Sequence, residues 1–495
     1  MSGSLKLEPG RNCWRIERAH RAALIVDACD YFHLARKAIL KARSQILLMG
    51  WDLDTRILLD DEESAGDEPV HLGPLITWIG RHRPDLKVYI LAWDGEVYNF
   101  AGRGSTFARL LAWKFSRNIE FKLDGTHPFE GSHHMKILVV DDTLAFCGGI
   151  DMTGSRWDTR EHRDGHPGRR RPTTGRHYDP WHDSTMAVDG DAAKALGDLG
   201  RLRWEAACGE RLSPPERSTD PWPEELKPVF HDVPIAIART RGHVGEWSEL
   251  REIEALFADM IAAAERYVYV ETQYFASRRI AEAIAKRLGD PLGPEFVLVN
   301  PKTGRGWLDE EVMGPARSKL YRELKALDTY DRFRIYYPVT ENGVPIYVHS
   351  KMMIVDDELF RVGSANMNNR SMGMDSECDL MIDCRLGEDP AAFETIAAIR
   401  TDLMAEHLGV APETVEAVFQ GSLIAAIEGL RAEEGRSLVP YEPPELNPVE
   451  AAIAESEALD PESPETPFEP IARRKLLSNL KRFRRRRKAA RQAAS

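Results

Sequence analysis

Ser132-His133-His134-Met135-Lys136-Ile137-Leu138-Val139-Val140-Asp141 decides the fold of this chain, because it comes twice. The second copy, Val348-His349-Ser350-Lys351-Met352-Met353-Ile354-Val355-Asp356, places its histidine 215 positions after His134. Both spell His-x-Lys-x4-Asp, and both fill the interval with apolar residues. Each also closes on a polar residue 17 positions after its histidine, Asp151 in Gly148-Gly149-Ile150-Asp151 and Asn366 in Gly363-Ser364-Ala365-Asn366. One His and Lys two apart would carry little weight, but two copies agreeing in spacing and filling do not arise by chance. Side chains two apart on a strand share a face, so each copy presents an imidazole beside an ammonium. The unbroken apolar runs after them suit strands buried on both faces.

The surroundings repeat as well. Residues 31–44 have a helical pattern and lead into the apolar run 45–51; residues 252–264 do the same into 267–271. Strand candidates follow at 87–93 and 295–300, then at 119–123 and 333–337, then a turn and the His-x-Lys strand. This is an internal duplication of an α/β unit. The sequence predicts a first repeat over residues 1–212, a Pro-rich junction over 213–232 and a second repeat over 233–410. Beyond it are expected a helical extension (411–436, with one amphipathic helix over 412–435), an acidic Pro-rich linker (437–470) and a basic amphipathic tail (471–495).

Composition narrows the function. At 495 residues, 43% hydrophobic and 29% charged, the chain can bury a large core. Its net charge of −13 hides a polarisation: residues 471–495 carry eleven Lys or Arg and no acid, leaving −24 on residues 1–470. An acidic body argues against a broad nucleic-acid footprint. The six cysteines have neither metal-type nor scaffold spacing, and Cys147 and Cys378 read as small core residues. No stretch has the length of a membrane span or a signal-peptide core, so the expectation is a cytoplasmic or peripheral membrane protein, with non-classical secretion leaving no readable mark. In the tail, Leu476, Leu477, Leu480 and Phe483 share one helical face among cations, which suits anionic lipid.

Two half-sites, each with a titratable imidazole and a fixed cation, suit attack on a phosphodiester without a metal or cofactor. One imidazole attacks phosphorus, and the other protonates the leaving alkoxide and then activates water or an alcohol. Lys136 and Lys351 would offset the phosphate charge, with Asp151 and Asn366 orienting the lysines or, for Asn366, binding oxygens. Each imidazole also needs an acceptor on its other nitrogen. Asp183, after Pro180-Trp181-His182, and Glu377, opening the run 378–382, stand at matching places in the repeat; pairing with a nearby arginine is the competing role. Asp141 and Asp356 read as turn caps, and His133 and His182 as neighbours without a role. With both half-sites in one chain, a monomer is expected.

These motifs resemble the phospholipase D superfamily, and within it the phosphatidylcholine-type enzymes with eukaryote-like motifs. The likeness spans residues 15–410. It rests on both His-x-Lys-x4-Asp blocks and on Gly148-Gly149-Ile150-Asp151, Arg156-Trp157-Asp158-Thr159, Pro180-Trp181-His182-Asp183, Val270-Glu271-Thr272-Gln273-Tyr274-Phe275 and Arg370-Ser371. It implies a duplicated α/β/α sandwich with pseudo-twofold symmetry and a metal-independent displacement through a phosphohistidine. It implies His134 as nucleophile and His349 as acid then base, with Glu377 supporting His134 and Asp183 supporting His349. Gly149 and Asp151 depart from the Ser and Asn of the general motif, in the manner of the eukaryote-like branch.

The resemblance makes the expected activity that of a phospholipase D, releasing phosphatidate and a head-group alcohol or transferring the phosphatidyl group to an alcohol. A cardiolipin-synthase-like phosphatidyltransferase is the alternative; a nuclease is less favoured, and an inactive binding module would have lost a His or Lys. The expected partner is a phospholipid surface.

Overall fold

The computed structural model describes residues 5–61, 66–96, 103–129, 131–216, 219–304, 312–387, 389–447, 450–451 and 460. The first half supplies strands β1 (Arg15–Val26), β2 (Gln45–Gly50), β3 (Lys87–Trp93) and β4 (Ile119–Asp124). It continues with β5 (Ile137–Val140), β6 (Leu144–Gly148), β7 (Trp181–His182) and β8 (Ser184–Asp189). The second half supplies β9 (Phe230–Arg241), β10 (Leu250–Arg251), β11 (Tyr267–Glu271), β12 (Glu295–Val299) and β13 (Phe333–Val339). Then come β14 (Tyr347–Val348), β15 (Met352–Val355), β16 (Leu359–Gly363), β17 (Glu377–Asp383) and β18 (Ser437–Pro440).

One sheet runs through both halves. From the antiparallel β1–β9 pair, the order outward is β8, β6, β5, β2, β3, β4 on one side and β17, β16, β15, β11, β12, β13 on the other. The directions match step for step: antiparallel as far as β2 and β11, then parallel as far as β4 and β13. The duplication is therefore a repeated pairing order about a pseudo-twofold axis between β1 and β9.

Alternation along the strands assigns the two faces. Ile46 and Leu48 of β2 pack with the helices Ala28–Lys41 and Leu72–His82, whereas Leu47 and Met49 face the core that holds the helix Gly190–Cys208. In the second half Val268 and Val270 pack with the helix Glu252–Ala263, and Tyr267 and Tyr269 join that same shared core. The result is a sheet between two helical layers, one of them continuous across the halves. Cys147 and Cys378 are both buried at this junction, with Cys147 Sγ 3.5 Å from the Cys378 carbonyl.

The structure departs from the sequence expectations in three places. His134, Lys136, His349 and Lys351 precede β5 and β15 instead of lying within those strands. The helix expected over 412–435 is two, Pro412–Val418 and Leu423–Leu430, broken around Gly421, whose φ of +90° no right-handed helix admits. The expected linker over 437–470 opens instead with β18, which adds to the sheet edge beside β13, and Tyr441 is buried behind it. The tail over 471–495 lies outside the described residues.

Candidate active site

The two halves exchange short backbone pairings at the axis. β14 pairs in parallel with β7, and the His349 amide donates to the His182 carbonyl at 2.7 Å. The counterpart is a bridge between His133 and Ser376, with the His134 amide donating to the Ser376 carbonyl at 2.9 Å. Each histidine is thus docked against the residue that precedes the other half's carboxylate, and the side chains follow. His134 Nδ1 lies 3.0 and 2.9 Å from the two Glu377 oxygens. His349 Nδ1 lies 2.6 Å from Asp183 Oδ2. With Nδ1 engaged, Nε2 of each ring is the nitrogen left for chemistry.

Hydroxyls complete the Glu377 side: Ser364 Oγ donates to Oε2 at 2.5 Å and Ser371 Oγ to Oε1 at 2.7 Å. The lysines are fixed differently. Lys136 donates to the His134 carbonyl at 2.7 Å and sits 3.2 Å from Asp151, whose other oxygen accepts the Trp51 amide at 2.9 Å. Lys351 donates to the His349 carbonyl and reaches Gln273 Oε1 at 3.4 Å. Asp151 therefore orients Lys136, while Gln273 takes that role at Lys351. Asn366 lines the cleft, and its buried Oδ1 has no hydrogen-bond partner among the described residues. Gln273 belongs to the quoted Val270-Phe275 motif, but nothing in its spacing announced a contact across the half.

His134, His349, Asp151 and Asn366 line a single cleft of about 610 Å³. Aromatic rings form its walls: Trp51 stacks on Trp93 at 5.7 Å and Trp181 on Tyr347 at 4.7 Å, with Trp181 also 5.0 Å from the His349 ring. The Arg156 guanidinium lies 4.4 Å above Trp181. The motif aspartates lie outside the cleft, but instead of capping their own turns they bond backbone distant in sequence. Asp141 accepts the amides of Arg43, Ser44 and Gln45, and Asp356 those of Glu265, Arg266 and Tyr267. They anchor the chain entering β2 and β11.

A family model described as Phospholipase D matches residues 322–451, which include the second half-site. Phospholipase D A of Dictyostelium discoideum is 26% identical over 469 residues, covering 79% of this chain and 36% of that protein. Phospholipase D1 of Saccharomyces cerevisiae is 25% identical over 500 residues, covering 80% of this chain and 29% of that protein. The family model and these relatives support membership of the phospholipase D superfamily. The chain spans about a third of the length of these relatives. A cardiolipin synthase from a Geobacillus species is 26% identical over half of the chain and 42% of its own length. Among solved structures, the phosphatidylserine synthase of Haemophilus influenzae shares the fold, with a TM-score of 0.53 at 14% identity, over 81% of this chain and 92% of that one.

The two dyads of the cleft differ electrostatically. Burial pulls both imidazoles well below the ordinary histidine range, reinforced by Lys136 and Lys351 at His134 and by Lys351 at His349. Burial pushes Glu377 up to about 8, with nearby Asp375 adding to the effect. Burial would raise Asp183 too, but the charge and hydrogen bond of His349, with Lys351, hold it at about 2. Burial brings Lys351 down to about 7. The carboxylate facing His349 is thus firmly ionised and opposes the effect of burial and Lys351 on that ring without overcoming it, whereas Glu377 is held largely protonated at neutral pH.

His133 and His182, expected to be bystanders, are buried structural groups. His133 Nδ1 is 2.9 Å from Ser376 Oγ, and His182 Nε2 is 2.8 Å from Glu271 Oε2. His182 also joins Asp27, His162 and Glu406 in a buried set whose ligand-type atoms lie within 4.8 Å of one another, the kind of donor group able to hold a cation. The set lies behind the His349 dyad, since the Asp183 amide donates to Asp27 Oδ1 at 3.0 Å.

Proposed function

We propose that the cleft is a phospholipase D site that cleaves the distal phosphodiester of a glycerophospholipid. The observation that carries this reading is the crossed pair of dyads, His134 on Glu377 and His349 on Asp183, lining one cavity. His134, with the more exposed ring, attacks phosphorus through Nε2. As the P–O bond to the head group breaks, His349 gives its proton to the departing alkoxide. Water or an alcohol then loses its proton to His349 and displaces His134, releasing phosphatidate or a new phosphatidyl ester. Lys136, Lys351 and the Asn366 amide face the non-bridging oxygens, and no metal takes part in the displacement.

The eukaryotic phospholipase D relatives support this assignment, while the cardiolipin synthase likeness supports a second reading in which the acceptor is a phosphatidylglycerol hydroxyl. Both use the same covalent phosphohistidine and differ in the acceptor. The body, carrying −24 over residues 1–470, disfavours a polyanionic substrate such as nucleic acid. We propose further that the chain acts as a monomer at the phospholipid surface and that the tail over 471–495 adds attraction to anionic lipid. The repeat boundaries are those read from the sequence.

The deciding assay incubates the protein in chelator with phosphatidylcholine, phosphatidylglycerol or single-stranded DNA, with and without ethanol. Phosphatidylethanol from phosphatidylcholine is the expected product. Cardiolipin alone supports the second reading, and strand scission without a lipid product overturns both. Deleting residues 471–495 is expected to weaken binding to anionic vesicles and spare turnover of a soluble short-chain substrate.

A further inference from the structure

We propose that the helix Ser105–Trp113 and the turn after it form an interfacial docking element that seats the cleft on an anionic lipid surface. The proposal rests on the reading of the cleft as a phospholipid site and says which face of the protein meets the bilayer. The helix turns Thr106, Leu110 and Trp113 into the protein, which leaves its outer face to Phe107, Ala108, Leu111 and Ala112. Phe107 is 50% exposed and Leu111 47%, and Phe115, one turn further on, is 86% exposed. A helix on the surface of a globular domain ordinarily carries polar residues there. Large apolar side chains clustered in water at i, i+4 and i+8 mark a surface meant to be covered.

Charge and position identify what covers it. Residues 103–117 contain four cations, Arg103, Arg109, Lys114 and Arg117, and no acid, in a chain of net charge −13. Lys114 and Arg117 are exposed beside the apolar face. Apolar side chains flanked by cations match an anionic bilayer, whose acyl region takes the former and whose head groups attract the latter. The same charge opposes coverage by the tail of this chain, which holds eleven cations of its own. The element also adjoins the cleft. Arg103, just ahead of the helix, lines the cavity and is clamped by Asp52 at 2.9 Å, and Thr106 Oγ1 donates to Asp54 at 3.0 Å. A third exposed ring, Phe129 at 72%, stands just before Ser132, another cleft residue. A bilayer that takes up these side chains lies against the cleft mouth, so a lipid head group reaches His134 with little withdrawal of its acyl chains.

The test uses the full chain and vesicles of phosphatidylcholine with or without phosphatidylglycerol. The triple variant Phe107→Ser, Leu111→Ser, Phe115→Ser is expected to lower vesicle partitioning about tenfold or more and to leave turnover of a monomeric short-chain phospholipid unchanged. In a second variant, Phe115→Trp, the added indole fluorescence is expected to be quenched by brominated acyl chains, which reports insertion directly, whatever the tail contributes. Unchanged partitioning of the triple variant, together with no added quenching in the Phe115→Trp variant relative to wild type, overturns the proposal. So does a triple variant that only dissociates a dimer, since the face would then belong to a second copy. If no phospholipid is turned over but partitioning still depends on these side chains, the reading of the cleft fails and the docking surface stands.

Discussion

His349 Nδ1 and Asp183 Oδ2 are 2.6 Å apart across 166 residues of sequence, and they belong to opposite halves of the chain. In the proposed reaction the carboxylate would fix the ring's tautomer and stabilise the imidazolium formed when His349 takes a proton. Asp183→Asn keeps the shape and removes the charge. It is expected to lower kcat for phosphatidylcholine by about 10³–10⁴ with little change in KM, by comparison with the same change in serine-protease triads. Steady-state kinetics checks this, and a loss below about tenfold would show that the pair does no chemistry.

The same variant has a signature in stability. Asp183 is held at about 2, below the 3.8 of an unperturbed aspartate. A depressed acid contributes stability that is fully present above the unfolded value and disappears as pH falls through the folded one. The ionised pairing therefore contributes about 2 kcal/mol at neutral pH. Urea unfolding of wild type and Asp183→Asn is expected to show a gap that holds from neutral pH down to about 4 and narrows by that amount towards pH 2. A gap that stays constant across the window would refute the ionised pairing.

On the proposed mechanism, Lys351 is expected to set a pH limit to activity. Burial lowers it to about 7, so in the free protein it loses its charge as pH rises through neutrality. A neutral amine cannot offset the phosphate, and kcat/KM is expected to fall above pH 7. Lys351→Arg, which stays protonated, should move that limb to alkaline pH while lowering the plateau, because a planar guanidinium does not replace a point cation. A limb that does not move assigns the fall to another group.

The legible part of this protein was the part written in local patterns. β5 and β15 are unbroken apolar runs, and β2 and β11 are apolar apart from Gln45 and Glu271 at their ends; strands buried on both faces leave that mark. The duplicated His-x-Lys spacing announced the two half-sites. Asp183 and Glu377 could be nominated from their places in the repeat, but their crossing came from family likeness, because it depends on the β7–β14 and His133–Ser376 pairings. Contacts between residues 166 and 243 positions apart leave no periodicity to read. Gln273 on Lys351 was hidden for the same reason. The break at Gly421 was missed because apolar spacing continued across it while the backbone conformation did not.

Gly149 shows the two halves solving one problem in opposite ways. A Cβ built there would overlap Asp183 Oδ1 and lie 3.2 Å from the His349 carbonyl oxygen, so the carboxylate occupies the space a side chain would need. The matching residue in the second motif is Ser364, which donates to the Glu377 carboxylate at 2.5 Å. One half thus uses a short carboxylate against a bare backbone, and the other a longer one held by a hydroxyl. The departure of Gly149 from the general motif is a packing requirement of Asp183. Gly149→Ala and Gly149→Ser should be equally damaging, since the clash is with Cβ itself. Both are expected to displace Asp183 from the ring and lower kcat about a hundredfold, with overpacking costing about 1–3 kcal/mol of stability. Ser364→Ala removes one of two hydroxyl donors to Glu377 and creates no clash, and is expected to cost no more than about tenfold. Kinetics and urea unfolding of the three variants decide the matter: a Gly149→Ala protein within about threefold of wild type would mean that Asp183 is not what demands glycine at this position.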